Sequence, residues 1–359
     1  MFLSIVIFIF TLLILVVLHE FGHFIMAKKF GIKVEEFGFG IPPRVWGKKF
    51  GETLYSLNWL PFGGFVKLLG EDADGTPRSS RDFREKNVWQ RITVVAAGVS
   101  MNLILAWMIF YTVLVYQNFR IIYPTLESAA FVGFLEKGYP AESAGIKVGE
   151  RVLSVDGKNI KVLDDARNFI REGKGAPVAL TLSDIDGNNK RELTIIPKKT
   201  DDNFLIGVGF SPIAIKEYKT PTEKIFSGIT YSFDLTRITF VGLGKTIHDL
   251  FSGNLKTVSQ SVSGPVGLAN MSNDILSGGK QALPFYLWFV GVISLTLSIF
   301  NVLPIPALDG GRLLFLFIEA LTGKKVKESW ERTVHQVGFM ILLSLALLVT
   351  YSDISKLIH

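Results

Sequence analysis

Residues Met1 to Leu18 contain no charged side chain, and the first ionisable groups after them belong to the string His19-Glu20-Phe21-Gly22-His23. No other feature limits the chain so tightly. An ionisable group at mid-membrane costs about 2.5–3.5 kcal/mol on insertion scales, so such groups are usually functional and face a protein interior. On a helix, positions i and i+4 share a face, so His19 and His23 can hold one metal ion together. Glu20 then stands beside the metal, where a carboxylate can take a proton from a bound water. An HExxH string alone arises by chance on surface helices. Its setting, in an apolar stretch from Phe2 to about Ala27 that is long enough to cross a bilayer, argues against chance.

The 359 residues are enough for more than one domain, and 48% are hydrophobic against 19% charged, with a mean hydropathy of +0.36. Apolar stretches alternate with a long polar middle, which points to a polytopic membrane protein. The net charge of +6 comes from dispersed Lys and Arg, so the excess fits membrane topology, and no nucleic-acid partner is expected. With no cysteine, a zinc site must use histidines and carboxylates. The first span lacks a basic n-region and a small-residue cleavage site before His19, so it does not read as a removable leader.

Four stretches have spanning character: Phe2 to Ala27, Ile92 to Tyr116, Leu283 to Leu303 and Gln336 to Tyr351. Residues 1–116 form a first membrane half. Within it, Gly31 to Gly70 is glycine-rich, aromatic and β-prone, and reads as hairpins whose apolar tips can dip into the membrane. An exposed edge there could pair with an extended substrate, and Gly38, Phe39 and Gly40 are the candidate contact residues. Glu71 to Arg91, with Trp89 and Arg91, reads as a polar loop. Ala96-Ala97-Gly98 and Ser100 supply a small-residue face for close helix packing, and Asn102 is expected to hydrogen-bond a neighbouring helix.

Residues 117–211 read as an inserted soluble α+β domain. Short helix, turn and alternating strand lead to Asp156-Gly157, with a helix expected over 163–172 and strands over 178–182 and 191–196. A Gly-x-Gly loop at Gly207-Val208-Gly209 exposes backbone N–H groups that can bind a peptide C-terminus. Residues 212–282 read as an amphipathic linker region, with one or two amphipathic helices over Thr222 to about Ser263 and a helix break at Ser263-Gly264-Pro265-Val266-Gly267. Residues 283–359 form the second membrane half, interrupted by Pro304, Pro306 and Asp309-Gly310-Gly311, which force a turn at membrane depth.

Catalytic zinc usually takes three protein ligands and leaves one position for water. Beyond His19 and His23, the candidates are Asp309, His248, His335 and His359. Asp309 is favoured because its turn can hold a carboxylate rigidly towards a neighbouring helix. His335, at the edge of the fourth span, is the rival, and its loss is expected to leave metal and activity intact.

HExxH in the first span, the inserted domain, and Asn301-Val302-Leu303-Pro304-Ile305-Pro306-Ala307-Leu308-Asp309-Gly310 together resemble the site-2 protease family, in its bacterial RseP-type branch. The resemblance runs nearly end to end. It implies an α-helical polytopic membrane fold of about four transmembrane helices, with a re-entrant β-hairpin region and one PDZ-like domain, where some members carry two. It also implies zinc held by His19, His23 and Asp309, Glu20 as general base, and Asn301 in contact with substrate. The implied activity is cleavage of transmembrane segments of single-span proteins, such as anti-sigma factors or signal-peptide remnants, after a first cut by another protease. The alternative is a zinc-binding scaffold acting through its PDZ-like domain without proteolysis. A transporter would show repeat halves and charges along several spans, and neither is present.

Twelve Lys and Arg lie between Lys28 and Arg91, and five between Arg312 and Arg332. By the positive-inside rule both loops face the cytoplasm of a bacterial inner membrane, with the PDZ-like domain outside.

Overall fold

The structure, a computed structural model, describes residues 2–71, 79–123, 130–160, 163–185, 187–200, 203–211 and 213–358. They form two compact units, one of residues 1–113 with 245–359 and one of residues 114–244. Four helices are long and apolar enough to span a membrane: Leu3–Lys29, Val88–Tyr116, Leu283–Val302 and Ser329–Lys356.

In the first unit, α1 (Phe2–Lys29) ends on Lys28 and Lys29, whose charges complement the C-terminal end of the helix dipole. Gly31, at φ 67, then turns the chain in a conformation that disfavours a Cβ. Strands β1 (Val34–Phe50) and β2 (Thr53–Leu68) follow. Their register is doubled, since Phe37 pairs with both Val66 and Tyr55, and Gly38 with both Phe65 and Ser56. The run through Gly38 is therefore interior to the sheet, and the run from Gly64 to Leu68 borders it. Buried Thr53 donates to the Val34 carbonyl (2.9 Å) and buried Asn58 to the Gly40 carbonyl (3.0 Å).

Helix α2 (Val88–Tyr116) starts earlier than the sequence predicts, and Trp89 and Arg91 lie in its first turn instead of in a loop. A capping box explains it. Asn87 Oδ1 accepts from the Trp89 N–H, and Gln90 Oε1 accepts from the Asn87 N–H. The small-residue face of α2 meets α1 as expected: a Cβ on Gly22 would overlap the Ala97 carbonyl.

The second unit contains β3 (Arg120–Tyr123), β4 (Ala130–Leu135), α3 (Pro140–Ser143), β5 (Arg151–Val155), β6 (Lys158–Asn159), α4 (Leu163–Glu172), β7 (Val178–Ser183), β8 (Arg191–Ile195), β9 (Lys198–Thr200), β10 (Asn203–Leu205), β11 (Val208–Ser211) and β12 (Ala214–Glu217). The main sheet runs β11-β4-β5-β7-β8 with β6 beside β5, while β12 pairs with β3 and β9 with β10. Its core holds Val132, Val152, Leu180, Leu182 and Ile206 with Ile170 of α4. Helix α5 (Pro221–Phe251) opens on a second capping box, in which Glu223 accepts from the Thr220 N–H and Thr220 Oγ1 from the Glu223 N–H. Tyr231 of α5 donates to the Ile122 carbonyl.

The chain then forms α6 (Leu255–Ser261), α7 (Pro265–Ser277), α8 (Leu283–Val302), α9 (Asp309–Thr322) and α10 (Glu328–Ile358). The stretch from Thr222 to about Ser263 carries two helices, α5 and α6, within the one or two expected, with Gly253 between them, and α7 begins after the expected break at Gly264. Asp353 of α10, buried, accepts from the Gly264 and Gly267 N–H groups and caps α7. Ser294 and Ser298 of α8 donate to the Asn102 and Val99 carbonyls of α2, so Asn102 joins the neighbouring helix through its backbone. Phe8 and Leu15 of α1 pack with Tyr286, Phe289 and Ile293 of α8. Ala27 clusters with Val94 and Val95 of α2 and Leu313 and Leu316 of α9.

Glu52, at the turn between β1 and β2, binds Lys28 at the end of α1 (2.6 Å) and Arg81 (2.6 Å). Hydrogen bonds from Arg81 and then Lys28 hold its carboxyl down at about 2. The folded value lies below the ordinary 4.5, so this contribution is complete above pH 4.5 and is lost as pH falls through about 2. Water screens the pair, so the effect is local, not global. In E52Q, amides at 50–53 and 79–82 should exchange faster than in wild type at every pH above 4.5, the two converging near pH 2. Hydrogen exchange measures it, and equal rates at neutral pH would contradict it.

Candidate metal centre

His19 and His23 stand one turn apart on the face of α1 that meets α2, and Asp309 opens α9. Their donor atoms converge. Asp309 Oδ2 lies 3.0 Å from His19 Nε2 and 3.4 Å from His23 Nε2, and the two Nε2 atoms are 3.1 Å apart. These are the only group of three or more such side chains among the described residues with ligand atoms close enough to share an ion.

The surroundings favour a cation there. His23 Nδ1 lies 2.8 Å from the Val94 carbonyl, which can only accept, so Nδ1 carries a proton and Nε2 is the nitrogen left to face a metal. Asp309 Oδ2 is buried without a hydrogen-bond partner. Two imidazole nitrogens and a carboxylate oxygen thus crowd one point, and one cation satisfies all three. Zn–N bonds of about 2.0–2.1 Å in a tetrahedral set separate donors by about 3.4 Å, close to what is seen.

The approach depends on missing side chains. A Cβ on Gly98 of α2 would overlap His23 Nε2 and come within 2.9 Å of His19 Nε2. Between α8 and α9, Pro304 and Pro306 end one helix and Asp309 begins the next, where the helix N-terminus favours a carboxylate. A Cβ on Gly310 would overlap the Leu303 carbonyl, and one on Gly311 would sit 2.7 Å from the Ile305 carbonyl, so Asp-Gly-Gly is what lets α9 start so tightly.

Glu20 follows His19 on α1, and a Cβ on Gly64 of β2 would lie 3.4 Å from its Cγ. The sheet therefore reaches the metal centre through Gly64. Gly38 and Phe39 lie one strand further in, paired on both sides, and Gly40 takes φ 78 against the Leu60 carbonyl. Asn301 lies half-buried in the last turn of α8. Gly207, at φ 79 against Tyr139, leads into β11 with Val208 and Gly209, in the second compact unit.

Of the other histidines, His248 is exposed in the last turn of α5, and His335 Nδ1 accepts from the Ala307 N–H (2.9 Å). His359 lies outside the described residues. A cavity of about 740 Å³ reaches Asp309 and is lined also by Glu71, Arg312, Arg91, Glu319 and Lys325. Within it Arg312 pairs with Glu71 and Arg91 with Glu319. Sequence reasoning missed Val94, Gly98 and Gly64. The Ala96-Ala97-Gly98 run was a signal for close packing, but nothing in it says that the packed groups are the histidines.

Residues 7–345 match the model of peptidase family M50. A Clostridium perfringens protein that carries a zinc-metalloprotease name is 36% identical over 341 residues, with 95% of each chain covered. The regulator of sigma-W protease RasP of Bacillus subtilis is 28% identical over 437 residues, with 96% of each covered. The zinc metalloprotease RasP of Geobacillus kaustophilus is 29% identical over 435 residues, with 98% of each covered.

Gly98→Ala should leave the four spans intact and displace both imidazoles. Disturbing the shell behind metal ligands typically costs 10–100-fold in metal affinity or activity. Zinc titration of the purified variant in detergent measures this, and wild-type affinity would show that the histidines do not depend on the gap at residue 98.

Proposed function

The chain belongs to peptidase family M50 and is a zinc metalloprotease with several membrane-spanning helices, and from that premise we propose that it cuts transmembrane segments of single-span proteins within the bilayer. The observation that carries the proposal is the convergence of His19, His23 and Asp309 on one point, with Glu20 next to His19, and with His19, Glu20 and His23 all in a helix of spanning length. A scaffold would need the three ligands but not the glutamate beside them.

Zinc, when bound, lowers the pKa of its water towards about 7 and polarises the scissile carbonyl. His19, His23 and Asp309 hold the ion in this reading. Glu20 takes the proton and returns it to the leaving amine. A transmembrane helix bonds its own amides, so a substrate must unwind locally before it can be cut. Asn301 offers an amide to the unwound strand or to an oxyanion. The sheet of β1 and β2 offers an edge, and because Gly38 and Phe39 are paired on both sides, the run beginning at Gly64 is better disposed to receive an extended segment. Gly38, Phe39 and Gly40 then act by shaping the sheet behind that edge. Exposed Trp46 and Trp59 support a sheet that dips into the membrane as a re-entrant element.

The inserted unit reads as a PDZ-like filter. Its β11 borders the main sheet next to β4, with the Gly207-Val208-Gly209 loop at its start, an arrangement suited to capturing an extended chain or its C-terminal carboxylate. Substrates on this reading are single-span regulators such as anti-sigma factors, or signal-peptide remnants, shortened first by another protease. The name of the Bacillus subtilis relative, a regulator of sigma-W, favours the former. The division into membrane halves 1–116 and 283–359, a PDZ-like domain 117–211 and a linker 212–282 remains the working scheme. The location is a bacterial cell membrane, with the inserted domain outside.

Two measurements test this. Glu20→Gln should retain zinc at near wild-type stoichiometry and lose about 10²–10⁴-fold or more in cleavage of a purified single-span substrate. Asp309→Ala should lose both zinc and activity. Wild-type cleavage by E20Q would end the protease reading, and full zinc in D309A would end the ligand assignment. Topology is tested by exposed Lys147 and Lys324. A cysteine at 147 should react with an impermeant thiol reagent in intact cells, one at 324 should not, and the reverse pattern would invert the orientation.

A further inference from the structure

We infer that His335 is a positioning residue: through the Ala307 N–H it fixes the loop that delivers Asp309 to the metal centre. The inference rests on Asp309 being a ligand. Ala307 stands two residues before Asp309 and has φ 75, in the left-handed region that residues with a Cβ seldom occupy. Its N–H points out of the loop, away from the bonds that close the α9 start, where the Leu308 N–H reaches the Ile305 carbonyl and the Gly311 N–H reaches the Leu308 carbonyl. A half-buried backbone donor outside the helix ladder still needs a partner, and His335 Nδ1 supplies one at 2.9 Å.

The grip has three points. His335 holds Ala307, its ring edge comes so near Gly311 that a Cβ there would lie 3.2 Å from Cε1, and Gly338, one turn along α10, faces Pro306 closely enough that a Cβ would overlap it. One face of α10 therefore clasps the loop at 306 and 307 and the first turn of α9 at 311. Asp309 lies between those contacts in the chain.

The hydrogen bond also decides what the ring can do. With Nδ1 accepting, the neutral imidazole carries its proton on Nε2, so neither nitrogen has a lone pair left for a metal. His335 is thereby removed as the third ligand, but it is not dispensable, as the sequence alone had led us to expect. The groups that behave as partners behind metal ligands elsewhere usually bond the ligand itself; here the bond is made to the backbone that carries it.

The test uses the full chain in detergent and reads zinc affinity by competition with a chromophoric chelator, beside cleavage of a single-span substrate. Losing a supporting partner of this kind typically costs 10–100-fold in metal affinity. H335L should fall in that range while the zinc-free protein melts as wild type does. H335N should restore affinity, because the Asn oxygen can stand where Nδ1 stands, whereas H335Q, whose amide reaches to the place of Nε2, should not. Wild-type affinity in H335L, or equal behaviour of the Asn and Gln variants, overturns the inference. If H335L does not accumulate, the Asn and Gln pair decides alone. D309A is measured alongside. Should D309A keep its zinc, the ligand assignment fails and takes this inference with it; should D309A lose zinc while H335L and H335Q keep it, only the role of His335 fails.

Discussion

Three electron-rich atoms held 3.0–3.4 Å apart in an apolar interior repel one another unless a cation stands among them, and much of this fold is arranged to keep them there. Two of the atoms ride on α1 and one on α9. Bringing the helices close enough requires backbone where side chains would ordinarily be, which is why glycine recurs at the crossings, at Gly22 and Gly98 between α1 and α2 and at Gly310 and Gly311 where α9 begins. Helix packing in lipid gains little from hydrophobicity and much from such close approach. The same small residues that let the helices approach let the three donor atoms meet.

Around that centre the supports are polar groups that bond to backbone. The Val94 carbonyl orients His23, Ser294 and Ser298 tie α8 to α2, and Asp353 closes the start of α7. Each satisfies a peptide group where water is scarce, and each links elements far apart in the chain. Rigidity of this kind suits a site whose donor atoms must keep their spacing to within a few tenths of an ångström to share an ion.

The sequence makes some of this plain and hides the rest for a physical reason. The meeting of His19, His23 and Asp309 could be anticipated because it follows from residue types and from their place in and beside apolar runs. The four spans, α4 and the strands β7 and β8 were legible from periodicity, with boundaries shifted where caps such as Asn87 and Gln90 extend a helix by a turn. What escaped depends on which faces meet. Gly98 and Gly64 look like packing residues until the structure sets them against His23 and Glu20. The strand nearest Glu20 could not be told from alternation, since Gly38-Phe39-Gly40 and Gly63-Gly64 have similar strings and only the doubled register separates the interior run from the border run. His335 and Ala307 bond across the start of α9 in a pairing that no spacing rule anticipates.

The separation of His23 from Asp309 has a consequence for biosynthesis. The first two donors leave the ribosome near the start of translation, and the third follows only after two spans and the whole inserted unit have been made. Until then α1 is an apolar helix carrying two histidines and a glutamate with nothing to complete them. A chain lacking α9 would carry two of the three converging donors and no Asp309, so the order of synthesis delays the complete donor set until α9 has been made.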